Sequence, residues 1–143
     1  MNKQEIQLLY RYNAWANARI LDAAGGLTGK QFIAPSSFPH GGVRGTLVHA
    51  MSAESVLRMR WAGTSPAERY KEDDFPTLAS LLPRWKDDEN RLMAFIDGLS
   101  DERLNAPLEY KNNQGVLVKE GPLWTVMLHV VNHGTQHRSE AAA

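Results

Sequence analysis

Near the end of this 143-residue chain, His129, His133 and His137 follow one another at intervals of four residues. Four residues advance about 400° around an α-helix, so successive imidazoles project from nearly the same side with a rise of about 6 Å between them. Adjacent members of the series can therefore share one metal ion. The outer two stand about 12 Å apart along the axis by the same rise, too far to meet readily on one ion from a straight helix, so at most two of the three are direct ligands. A further ligand must come from elsewhere, and the chain offers His40, in a Pro/Gly-rich loop, and His49, in a helical segment among inward-facing residues. His49 fits better, because metal sites in helical bundles are built from side chains projecting from facing helices. Three histidines with one or more open positions form the signature of a catalytic rather than a closed structural site. The competing structural account makes the histidines surface or capped core residues, and three in register favour the metal. A zinc protease of the H-E-x-x-H kind is disfavoured, since Gly134 stands where that motif requires Glu. Glycine in a helix costs about 1 kcal/mol relative to alanine, which implies close packing or open space beside Gly134.

The elements that would carry these residues follow from apolar periodicity. Ile6, Leu9, Tyr10, Ala14, Ile20 and Leu21 mark an amphipathic helix from Lys3 to about Ala24, ended by Gly25 and Gly26. Asn13 and Asn17 share its apolar face and either line a polar pocket or hydrogen-bond a neighbouring helix. Residues 29–43 read as a loop. A second helix is expected from near Thr46, with Val48, His49, Ser52, Val56, Met59 and Arg60 near one face, closing at Gly63. Thr77 is the expected N-cap of a third helix, Leu78 to about Leu99, with Leu81, Trp85, Leu92, Phe95 and Ile96 inward and Pro83 in its first turns or marking a later start. Two short apolar runs around Asn112 to Gly115 predict a β-hairpin. A last helix begins near Leu123, with Trp124, Met127, Leu128 and Val131 inward.

Composition bounds the rest. Sixteen basic residues balance sixteen acidic ones, so no large field attracts a phosphate backbone or an anionic membrane, which argues against nucleic acid and membrane partners. The chain has no cysteine, leaving His, Asp and Glu as the strong metal ligands and excluding a thiolate of its own. The start, Met1-Asn2-Lys3-Gln4-Glu5, lacks the apolar run of a signal peptide and no stretch is long enough to span a bilayer, so the address is cytoplasmic by default. A chain of this length can bury a core without structural metal, and one domain is the default.

The run from His129 to Arg138 resembles the C-terminal motif of the DinB-like (DNA-damage-inducible) family of metal-dependent proteins. Tyr12-Asn13-Ala14-Trp15-Ala16-Asn17 resembles that family's first-helix signature, and Thr46-Leu47-Val48-His49-Ala50 resembles the segment bearing its first histidine ligand. The resemblance implies an all-α, up-down-down-up four-helix bundle with a short hairpin between its third and fourth helices, usually as a homodimer. It also implies nickel or zinc held by His49, His133 and His137. His129 carries over as a pocket residue or one behind the ligands, and Arg138 as a structural hydrogen-bonding or ion-pairing group. One domain then spans residues 1–143. Members of the family run on for a turn or more past the last histidine, which leaves truncation at the C-terminus open. The family is unrelated to the translesion polymerase of similar name.

Related families with this fold, the YfiT-like proteins among them, include transferases and isomerases that use low-molecular-weight thiols. Neutral imidazoles leave a divalent ion its full charge, suited to an anionic fourth ligand such as a thiolate, which here must come from a cosubstrate. The leading expectation is thus a thiol-dependent S-transferase. The alternatives are a metal-dependent hydrolase or a non-catalytic, stress-linked metal-binding module. None of these readings identifies a general base: Glu54 lies about 140° round the helix from His49 and is expected to point away.

Overall fold

The computed structural model describes residues 1–143. Four long helices dominate: α1 (Lys3–Ala24), α3 (Val43–Trp61), α4 (Leu78–Asp97) and α6 (Leu123–Ala142). Two short helices, α2 (Gly29–Ile33) and α5 (Asp101–Asn105), lie between them, and β1 (Pro107–Lys111) pairs antiparallel with β2 (Leu117–Pro122) before α6. Side-chain caps define most of the starts. Asn2 and Glu5 close a reciprocal capping box on α1, Thr77 and Ser80 do so on α4, and Ser100 caps α5. The expected loop over residues 29–43 instead contains α2, capped by Thr28 and Gln31 and anchored by buried Phe32, while α3 starts at Val43 rather than near Thr46. Pro83 is accommodated inside α4.

Around the bundle, α1 packs on α4 and α6, and α3 packs on the same two, so α1 and α3 face each other across a diagonal. Ala24, Val43 and Ala141 line one cavity, which brings the end of α1, the start of α3 and the end of α6 to the same pole. At the opposite pole Lys3 donates through its backbone N–H to Asp101 and through Nζ to the carbonyl of Asp97, both at 2.6 Å. The start of α4 accordingly lies beside the end of α1, where Leu78 and Gly25 line another cavity. The directions are up, down, down, up. Because α3 and α4 run the same way, the chain between them must travel back along the bundle, and residues 62–77 do so as a strap across α3: the Tyr70 N–H donates to Ser52 Oγ at 3.3 Å.

The core divides in two. Ile6, Tyr10, Trp61, Leu92, Ile96, Leu123, Met127 and Val130 belong to one apolar cluster, and Phe32, Leu47, Val48, Met51, Phe75, Leu81 and Trp85 to the other. Between these clusters each long helix contributes polar residues: Asn13 and Asn17 from α1, Ser52 and Glu54 from α3, Asp88 from α4, and His133, His137 and Arg138 from α6. Leu128, expected inward, is 39% exposed. The buried stripe of α6 runs through Leu123, Met127, Val130, Val131, Gly134 and His137, and Leu128 lies about 100° round the helix from Met127. No helix is long and apolar enough to cross a membrane.

Candidate metal centre

His49, one and a half turns into α3, and His133 and His137, in the last turns of α6, come together near the pole where those two helix ends meet. Nε2 of His133 and Nε2 of His137 are 2.9 Å apart with their rings at 76°. The His49 ring is centred 4.6 Å from that of His137 and 5.4 Å from that of His133. His137 is buried, and its Nδ1 lies 2.8 Å from Glu140 Oε2. An ionised carboxylate can only accept, so Nδ1 carries the proton and Nε2 turns an unprotonated lone pair toward the cluster. Carboxylate backing of this kind fixes the tautomer and orientation of metal-binding histidines.

A fourth imidazole joins them. His40, from the Pro/Gly-rich loop, stacks on His49 with ring centres 3.8 Å apart and planes 13° from parallel. One nitrogen each of His40, His49 and His137 fall within 4.8 Å of one another, a trio in which His40 takes the place of His133. Sequence reasoning passed over His40 because nothing local places the loop; Gly45 does. A Cβ at Gly45 would collide with the His40 carbonyl, so only glycine one turn before His49 lets the loop cross so close to α3. His129, by contrast, is exposed, one turn down the helix, and lines a different cavity with Leu57 and Thr125.

The electrostatics favour the uncharged form of two of these rings, His49 and His133. Burial first, then the neighbouring His40, His137 and His133, and then Arg69, bring His49 down to about 4. Burial, followed by the charges of His137, His129 and His40, lowers His133 too, against a smaller opposing pull from Glu140. Neutral imidazoles are the form that binds metal. A divalent ion fits this set of convergent ring nitrogens, with a carboxylate behind one of them, by taking the place of the proton that His133 Nε2 donates to His137 Nε2.

Asn13 and Asn17 are engaged with neighbouring helices. Asn13 Nδ2 donates to Glu54 Oε1 at 2.7 Å and Asn17 Nδ2 does so at 3.4 Å, while Arg138 Nη1 donates to both amide oxygens at 2.7 Å. Burial raises the pKa of Glu54, and the amides and Arg138 oppose that rise. The same network explains Gly134, where an added Cβ would stand 2.9 Å from Arg138 Nη1 and 3.1 Å from Asn13 Oδ1. Of the two conditions a helical glycine suggested there, close packing is the one found.

The histidines are open on one side. His40 and His49 line a cavity of about 380 Å³ whose far wall is formed by Ser52, Arg69, Tyr70 and Glu72.

A helical bundle whose polar layer gathers four histidines beside an open cavity defines a candidate metal-binding bundle protein. The DinB family model matches residues 1–143, the whole chain, and the protein belongs to the DinB family. No match is found among curated proteins.

Proposed function

We propose that His49, His133 and His137 hold one divalent ion, nickel or zinc, and that the protein is a metal-dependent enzyme acting with a small thiol cosubstrate. The observation that carries this reading is the convergence of His49, which lines a cavity, with the 2.9 Å pair His133–His137 behind it. Ring geometry supports this choice among the four imidazoles. A lone pair lies in the plane of its ring, so two rings stacked at 3.8 Å and nearly parallel aim into separate planes and cannot both reach one ion at about 2.0–2.1 Å. His40 and His49 thus compete for a single position, and His49 is the one held by a helix. The rings of His49, His133 and His137 are mutually inclined by 49°, 78° and 76°, which lets their planes meet.

A divalent ion among neutral imidazoles lowers the pKa of a thiol or water that reaches it. The chain's own residues supply the rest: Glu140 holds His137 in the binding tautomer, and the open wall beside His40 leaves room for a substrate. The thiol reading draws on the absence of cysteine, which means any thiolate must come from outside the chain.

Elemental analysis of protein purified without a histidine tag tests the centre. One nickel or zinc per chain is expected, lost in His49→Ala, His133→Ala and His137→Ala and retained in His40→Ala. Protein that stays metal-free after incubation with both ions would end the proposal, and loss of metal in His40→Ala equal to that in His49→Ala would overturn the choice of ligands. Conjugation of electrophiles with a panel of small thiols then tests the chemistry, with activity expected to vanish in His133→Ala.

The homodimer is part of the same proposal. Leu8, Tyr12 and Trp15 are 62%, 49% and 56% exposed at helical spacing along one face of α1, and Leu128 on neighbouring α6 is exposed as well. Such a stripe suits a two-fold pairing of like surfaces. Light scattering should give a dimer for the wild type and a monomer for Trp15→Glu; a wild-type monomer at micromolar concentration would refute the pairing.

A further inference from the structure

Beyond the histidines, α3, α4 and the strap bring together a group of arginines of which two form no ion pair. A second cavity, about 190 Å³, shares Ser52, Arg69 and Tyr70 with the one that His40 and His49 line, so the two meet at that wall. Four guanidinium groups, Arg58, Arg69, Arg84 and Arg91, line this second cavity against two carboxylates, Glu68 and Asp88. In a chain of zero net charge this is a local excess of cations.

Their partners divide them. Arg91 pairs with Asp87 at 3.1 Å, and Arg84 donates to the Tyr70 hydroxyl at 2.8 Å and lies 3.9 Å from Asp88. The Tyr70 hydroxyl in turn donates to Asp88 Oδ2 at 2.8 Å, so Asp88 is already occupied. Arg58 and Arg69 form no ion pair. Arg58 Nε is buried without a hydrogen-bond partner, and Arg69 is exposed on the strap, close enough to His49 for its charge to help keep that ring unprotonated. An oxyanion is the ligand that a guanidinium's donor fork fits in two-point fashion, and Arg58 and Arg69 both line this cavity without an ion pair.

The geometry points to an anionic subsite: Arg58 and Arg69 seat a carboxylate or phosphate group of the substrate or thiol cosubstrate, whose reactive end extends into the adjoining cavity toward His49. This rests on the metal-centre reading for its chemistry but not for the binding itself. Tyr70 and Arg84 are the fixed side of the subsite, locked by Asp88. Arg69, on the strap and facing both cavities, links anion recognition to the histidines.

Arginine Nε–Hε resonances of the ¹⁵N-labelled full chain report the subsite directly, with metal-free protein titrated with inorganic phosphate or with acetate against chloride at constant ionic strength. Saturable shifts at Arg58 and Arg69 are expected, and whichever probe saturates first identifies the headgroup. Arg69→Ala, an exposed change that leaves the core intact, should weaken the apparent affinity roughly tenfold, the effect of one charge-assisted hydrogen bond. Arg69→Lys should recover only part of it, and Lys119→Ala on the hairpin should change nothing. Linear shifts indistinguishable from those of chloride, or affinity unchanged in Arg69→Ala, would overturn the proposal. Because the titration is run without metal, saturable anion binding in a protein that takes up no nickel or zinc would leave this subsite standing while the metal reading fell.

Discussion

Glu140 makes a single contact with the histidine cluster, through Nδ1 of His137 at 2.8 Å. It also accepts from Gln136 Nε2 at 3.0 Å, and these two hydrogen bonds, Gln136 first, hold its carboxyl below the usual range. Carboxylates behind metal-binding histidines are worth roughly 10- to 100-fold in metal affinity. Glu140→Ala should therefore weaken nickel or zinc binding by about that factor in chelator competition, while the melting temperature of the metal-free protein falls only slightly, since the lost hydrogen bonds are on a partly exposed carboxylate. Equal affinity in the variant would show that the contact orients nothing. At this scale the sequence was partly legible. The four-residue spacing limits the direct ligands on α6 to two, and it leaves the rest of the choice to the third dimension. Stacking of His40 on His49 depends on a close approach permitted at Gly45, a fact about distant backbone that no local pattern carries. Glu140, three residues after His137, had a readable signal in helical spacing.

Between helices, the group of Asn13, Asn17, Glu54 and Arg138 fastens α1, α3 and α6 across the bundle. Removing Arg138 leaves two amide oxygens unmet and Glu54 without its nearby cation. Hydrogen bonds involving a charged group contribute about 1.5–3 kcal/mol each in favourable cases, and their losses here are not additive. Arg138→Ala should lower unfolding free energy by about 2–3 kcal/mol in urea denaturation, and Arg138→Lys by less. A loss under about 0.5 kcal/mol, the range of an ordinary surface change, would mean the network is slack. The long helices and the hairpin were legible because each spans enough residues to show a period and its capping residues. The helices α2 and α5, five residues each, are too short for that, and their signals lie in Thr28, Gln31 and Ser100. The position of Leu128 was misread because one residue of phase, about 100°, separates a core position from an exposed one.

For the molecule as a whole, acidity and metal act on one equilibrium. His49 is held near 4 when folded and has an ordinary value of 6.5 when unfolded, so the folded state favours its neutral form. Its contribution to stability is complete above 6.5 and is lost as pH falls through that value toward 4, with His133 shifted in the same direction. Melting curves of the metal-free protein should accordingly drop between about pH 7 and pH 4, and His49→Ala should flatten part of that slope. Wild-type and variant slopes that coincide would show that this ring is not a source of the acid sensitivity. Bound metal should raise the melting temperature at neutral pH and cease to do so on acidification, since protons and the ion claim the same nitrogens.

The up-down-down-up order obliges the stretch from Ala62 to Thr77 to travel the bundle's height, and that path makes it one wall of the opening at His49. The three proposed ligands all stand on long helices, whereas Arg69 and Tyr70 belong to the strap. On the proposed reading, capture of the ion and choice of what meets it are thus written on separate pieces of chain. Changes to the strap would then alter the lining of the cavity without disturbing the helices that hold the histidines, so on that reading one scaffold could be retuned by edits to its least regular part.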